Sequence, residues 1–131
     1  MSSEIELKEF HPGEYIFFED DLDKNFYMID EGLVEIFTKD PDGKRVSLAQ
    51  LGPGDCFGEM ALLINAPRTA SAQALRFSKI VVISDEKYKE LLSELPEWAQ
   101  GLIRTLGERL VGQNQKIKQL SAELRHLKET P

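Results

Sequence analysis

The residues best suited to chemistry lie in one short stretch. After Leu51 the chain runs Gly-Pro-Gly-Asp-Cys-Phe-Gly58-Glu59-Met60-Ala61-Leu62-Leu63, then Ala66-Pro67-Arg68-Thr69-Ala70-Ser71. Gly58 leads into an apolar turn over 59–63, too short to be a core helix. The free N–H groups at such a helical start attract anions, aided by the local dipole. Arg68 follows with a forked guanidinium that can grip a phosphate through charge-assisted bonds. Thr69 adds a hydroxyl. Glu59 would repel a bare phosphate, so its presence makes sense if the ligand also carries hydroxyls, as a ribose does. An acceptor for sugar hydroxyls, a clamp for phosphate and a nest of amides describe a nucleotide pocket of modest size.

Other chemistries have weaker support. A metal-dependent β-barrel enzyme needs clustered histidine and carboxylate ligands, and His11 and His126 stand at opposite ends of the chain. Both read as structural or solvated, and neither a metal site nor a catalytic residue is expected. A hydrolase needs a nucleophile beside a base, and no GxSxG motif or neighbouring Ser–His or Cys–His pair is present. Cys56 has no adjoining cation and is expected to be a small packed residue. The run Glu19-Asp20-Asp21-Asp23 lacks the ligand spacing of a calcium loop and is expected to be a solvated turn. A non-enzymatic protein is expected.

Those residues must be held by a chain of 131 residues, 41% hydrophobic and 30% charged, which suits one soluble domain. A net charge of −7 argues against this chain gripping nucleic acid by itself. No apolar run is long enough to span a membrane, and the acidic start does not resemble a secretory signal. With a single cysteine the chain fits a reducing compartment, so a cytoplasmic location is expected. Residues 1–95 carry 10 basic and 19 acidic side chains, net −9, whereas residues 96–131 carry 6 and 4, net +2. Two parts are therefore expected: a body over 1–95 and a tail element over 96–131.

The body reads as short strands. Runs rich in β-branched and aromatic residues fall at 15–18, 26–29, 33–37, 45–51, 70–75 and 80–83, with the first ten residues left open between strand and coil. Turn signals separate them: Pro12-Gly13, Asp30-Glu31-Gly32, Pro41-Asp42-Gly43 and Gly52-Pro53-Gly54-Asp55. This spacing predicts a mainly β fold, an antiparallel sandwich or barrel, followed by helices. Ser84 is a good N-cap for a short helix over 85–94 carrying Tyr88, Leu91 and Leu92, with Leu95 in the same spacing. Past Pro96, nothing breaks a helical pattern until Pro131, a span of about 51 Å at ~1.5 Å per residue.

That long helix carries heptads. With Ile103 at a, the a and d positions are Ile103, Leu106, Leu110, Gln113, Ile117, Leu120, Leu124 and Leu127, and seven of the eight are apolar. The pattern predicts a coiled-coil seam and a homodimer. Packing back onto the chain's own body is the competing arrangement. Trp98 and Leu102 suit it, but beyond residue 113 the seam is expected to run past the body. Gly101, Gly107 and Gly112 each cost about 1 kcal/mol in a helix interior, which raises the question of whether 101–114 faces a partner or ligand.

The order Phe57-Gly58-Glu59-Met60-Ala61-Leu62 followed by Pro67-Arg68-Thr69-Ala70-Ser71 resembles the phosphate-binding cassette of the cyclic nucleotide-binding domain family. That family includes the sensor domain of the bacterial cAMP receptor protein and regulatory domains of kinases and channels. The resemblance extends over nearly the whole chain, through Pro12-Gly13-Glu14-Tyr15-Ile16, Tyr27-Met28-Ile29-Asp30-Glu31-Gly32 and the two C-terminal helices. It implies an antiparallel, jelly-roll-like β-roll, a short helix and a long dimerisation helix. It also implies roles. Glu59 and the Gly58 backbone would hold the ribose 2′-hydroxyl, and Arg68 would pair with the cyclic phosphate. The amides of Ala61 and Leu62 would donate to phosphate oxygens, and Thr69 would touch phosphate or base, with Met60 and Ala70 completing the cassette. Gln113 and Asn114 fall where the bacterial receptor's long helix touches the base, although Gln113 could instead set the dimer register. The implied ligand is cAMP, with cGMP possible because Thr69 discriminates poorly, and no cofactor is implied.

The implied function is a regulatory sensor that passes ligand binding through a hinge near 92–98 to the long helix. The alternatives are a ligand-free dimerisation domain or the sensor fragment of a larger transcription regulator. A complete regulator of that kind would continue into a helix-turn-helix module beyond the long helix.

Overall fold

Alternation of apolar and polar residues sets up the sheets. In β3 (Phe26–Glu31), Tyr27 and Ile29 turn inward while Met28 turns out, and in β8 (Ser78–Ile83) Ser78, Ile80 and Val82 are buried. A computed structural model describes residues 5–58 and 67–129, and among these the body is two antiparallel four-stranded sheets. The remaining strands are β1 (Ile5–Phe10), β2 (Tyr15–Phe17), β4 (Val34–Lys39), β5 (Arg45–Leu51), β6 (Cys56–Phe57) and β7 (Ser71–Ala74). One sheet has the order β1-β8-β3-β6 and the other β2-β7-β4-β5. Each sheet therefore joins strands far apart in sequence, as a roll requires. Between them lies a core of Phe17, Tyr27, Ile29, Val34, Phe57, Ala72, Ile80 and Val82.

The expected strands are all present. The first residues described form a full strand, with Ile5 opposite Ile83 and Phe10 opposite Ser78. The two-residue β6, paired at Tyr27–Phe57 and Met28–Cys56, is an addition to the expected set. Cys56 is exposed there, contrary to the packed position expected, because the inward place on so short a strand goes to Phe57. The β3–β4 turn depends on Gly32, whose φ is 111°; a Cβ there would lie 2.1 Å from Ser78 Oγ and 2.6 Å from its Cα.

Helix α1 (Asp85–Ser93) starts at Ser84, whose hydroxyl accepts from Lys87 N at 3.2 Å. Tyr88 lays its ring 4.9 Å from Phe26 and so ties α1 to the first sheet. Helix α2 (Glu97–Glu129) runs unbroken for 33 residues.

Two expectations about α2 are corrected. Trp98 and Leu102 do not pack on the body; they are 73% and 51% exposed. The distal half does not run past the body but returns to it. Lys118 pairs with Glu19 at 2.9 Å, Arg125 with Asp40 and Asp42, and His126 with Asp42. His126 is therefore not isolated. These contacts use b, c and f positions of the heptad, with Ala122 buried at f. Leu106, Leu110, Ile117, Leu120, Leu124 and Leu127 all remain exposed along the a/d seam. The competing arrangements thus occupy different faces of one helix. Among the described residues nothing lies within 4 Å of where a Cβ would stand on Gly101 or Gly112, whereas Gly107 is buried.

Candidate functional site

Arg68 lies just before β7, with its side chain only 2% exposed. An ion this deeply enclosed needs compensation, and three groups supply it. Nη1 donates to the Gly58 carbonyl, while Nη2 donates to the Asn25 carbonyl and, at 3.1 Å, to Asp23 Oδ2. The guanidinium carbon sits 4.1 Å above the centre of the Phe17 ring, a favourable place for a cation. Its Nε is buried and has no hydrogen-bond partner among the described residues. A fixed, incompletely satisfied guanidinium of this kind suits an anion.

Gly58 meets this group closely for a physical reason. Its φ is 86°, and a Cβ would stand 3.0 Å from Arg68 Nη1 and from Tyr27 Cδ2. Tyr27 forms the floor beneath, stacked on Phe57 with ring centres 5.1 Å apart. Its hydroxyl donates to Asp23 Oδ2 at 2.6 Å. Burial and the neighbouring Asp23 carboxylate push the Tyr27 hydroxyl well above the usual tyrosine range, so it stays a donor.

The acidic run after β2 is not the solvated turn expected of it. Asp23 joins Arg68, Tyr27 and the Asn25 backbone N–H. Asp20 N donates to the Arg68 carbonyl at 2.8 Å, and Arg68 N donates to the Asp21 carbonyl at 2.9 Å. Asp20 takes a left-handed φ of 73° to make this possible, a conformation that aspartate tolerates better than most residues. Glu19 faces the other way. Its Oε1 accepts from Thr38 Oγ1 at 2.7 Å and Lys39 N, and its Oε2 from Lys118 Nζ. Burial raises the Glu19 pKa, but the bonds from Lys118 and Thr38 outweigh it and hold the carboxyl below its ordinary value.

The remaining expected site residues are placed as follows. Thr69 is half-buried and Ala70 is buried beside Arg68. Glu59, Met60, Ala61 and Leu62 lie outside the described residues. Gln113 is exposed on α2, and Asn114 is the next residue of that helix. The structure thus gathers Gly58, Arg68, Thr69 and Ala70. Sequence reasoning missed Asp23, Asn25 and Tyr27, whose only signal was an acidic cluster 45 residues before the arginine it serves. Among the described residues no group of three or more His, Cys, Asp or Glu side chains is placed to hold a metal ion. No helix among them is long and apolar enough to cross a membrane.

Comparison with known proteins bears on this geometry. The sequence profile of the cyclic nucleotide-binding domain matches residues 7–94. The cyclic AMP receptor protein of Thermus thermophilus is 36% identical over 111 residues, covering 85% of this chain and 51% of the relative. The chain therefore spans about half the length of that relative. Among solved structures, the cAMP-bound form of the EAL enzyme Bd1971 superposes with a TM-score of 0.78 at 31% identity, over 94% of this chain and 31% of the enzyme. Its cGMP-bound form gives 0.74 at 33% identity, over 81% of this chain and 28% of the enzyme.

Proposed function

The chain belongs to the cyclic nucleotide-binding domain family, and on that premise we propose that it binds cAMP, in preference to cGMP, as a regulatory sensor without catalysis of its own. The observation that carries this reading is Arg68: enclosed, fixed against Phe17 and Gly58, with a buried Nε that has no partner among the described residues. A cyclic phosphate meets that donor with charge and geometry together. Glu59 is assigned to the ribose hydroxyls with the Gly58 backbone, and the amides of Ala61 and Leu62 to the phosphate, within the cassette that includes Met60, Thr69 and Ala70. Gln113 and Asn114 are assigned to the base. Relatives bound to cAMP and to cGMP support the ligand class equally, and the 36% identity to a cyclic AMP receptor protein favours adenine.

The long helix supplies the output. Its exposed a/d seam is the surface on which a second copy of the chain would dimerise, leaving the body contacts of Lys118 and Arg125 in place. A ligand moves such a helix only through different affinities for its two positions, with the hinge placed near 92–98. We assign the protein to the cytoplasm.

Calorimetric titration of the chain with cAMP tests the ligand. One saturable site per chain, lost in Arg68→Leu and weaker for cGMP, is expected. No heat at several temperatures, with an unchanged melting point, would leave a dimerisation scaffold as the function. Sedimentation tests the seam: Leu120→Glu is expected to convert a dimer into monomers, and a monomeric wild-type chain would remove the dimer from the account.

A further inference from the structure

One short segment touches both the clamp and the long helix. The loop after β2 holds Arg68 on one side, through the Asp20 amide, the Asp21 carbonyl and the Asp23 carboxylate. On its other side Glu19 holds Lys118, the pair half-enclosed at 24% and 21% side-chain exposure. Glu19 is also tied into the sheets: its backbone N–H donates to Ser71 Oγ at 2.8 Å, and Thr38 donates to its carboxylate. These bonds run through adjacent residues, in a segment bent by the left-handed Asp20. A shift of Arg68 toward a ligand must be accommodated by residues 20–23, and residue 19 then carries it to the helix.

We propose that the loop over 19–25 couples the arginine clamp to the long helix, with Glu19 and Lys118 as positioning residues for Arg68. Lys118 holds Glu19, Glu19 fixes the loop, and the loop sets the guanidinium in place for an anion. Coupling between two sites is reciprocal, so filling the clamp changes the strength of the Lys118–Glu19 pair by the factor by which that pair changes ligand affinity. The physical basis is one element biased from both ends rather than a chain of intermediates.

Two measurements test this, and only the second rests on the nucleotide reading. In the ligand-free, isotope-labelled chain, amide exchange is followed at Asp20 and Arg68, whose N–H groups bond across the loop. Lys118→Met and Glu19→Gln are expected to speed both amides at least threefold. Lys116→Met, on the same helix at an exposed position, should leave them unchanged. Titration with cAMP is then expected to give a Kd raised at least threefold in either variant, and raised no further in the double variant. Exchange unchanged in Lys118→Met overturns the proposal whether or not the chain binds a nucleotide. Effects of the two substitutions on Kd that multiply also overturn it, because the residues would then act separately. Altered exchange in a chain that binds no cAMP would retain the coupling and reject the ligand.

Discussion

Two arginines stand at the two ends of the contacts that run from the clamp through Glu19 and Lys118 to the long helix, and they are held differently. Among the described residues Arg68 has one carboxylate, two carbonyls and an aromatic face for company, with a buried Nε left over. Arg125 has two carboxylates, Asp40 and Asp42, on the β4–β5 turn. Asp40 is itself shaped for the task, since its Oδ1 accepts from the Asp42 and Lys44 amides while Oδ2 meets the guanidinium. At the turn two carboxylates more than offset the guanidinium charge, so that end acts as an attachment. At the clamp, compensation among the described residues is partial, which is the basis of the proposed anion site. Binding capacity is thus a matter of what an arginine lacks.

The contrast breaks if the two positions respond alike to lysine. Arg68→Lys should weaken cAMP binding about 100-fold, about 2.7 kcal/mol, because an ammonium cannot reproduce the forked contacts in a buried place. Arg125→Lys keeps the charge beside two carboxylates and should change Kd less than twofold. Equal losses in titration would mean that both ends belong to the binding site.

Acid sharpens the contrast by acting on one end. Arg125, with the Lys44 and Asp42 amides, holds Asp40 at about 2, down from an ordinary 3.8. A carboxyl depressed in the folded state stabilises it fully above the unfolded value and loses that contribution as pH falls through the folded one. The melting-point advantage of wild type over Arg125→Ala should therefore be constant from pH 7 to about 5 and shrink toward zero near pH 2. An advantage that grows on acidification would contradict the Asp40–Arg125 attachment.

The smallest effect concerns the long helix before it reaches the body. Gly112→Ala introduces a Cβ into open space and should stabilise the chain by about 1 kcal/mol in thermal melts. Destabilisation would place a second backbone against Gly112.

Much of this was legible in the sequence. Strands such as 26–31 and 45–51 announce themselves through alternation and flanking turns, and the cassette through the order of Gly58, Arg68 and Thr69. The two-residue β6 is too short to have a period, and it went unseen. So did the acidic loop, because its meaning lies in pairings across 45 residues to Arg68 and 99 residues to Lys118. Local pattern carries no such distances. The return of α2 to the body was hidden for a related reason: Lys118 and Arg125 sit at positions that read as solvent-facing until the fold brings Glu19, after β2, and Asp40, on the β4–β5 turn, against them.

The two faces of α2 have a consequence for symmetry. In a twofold pair each helix is gripped by its own body through Lys118 and Arg125 and by the other helix through the seam. Neither helix can then turn about its axis without either breaking its own ion pairs or dragging the opposite body along. The two nucleotide sites of such a pair are expected to be non-independent, and the sign of their cooperativity would follow from which of those attachments yields first.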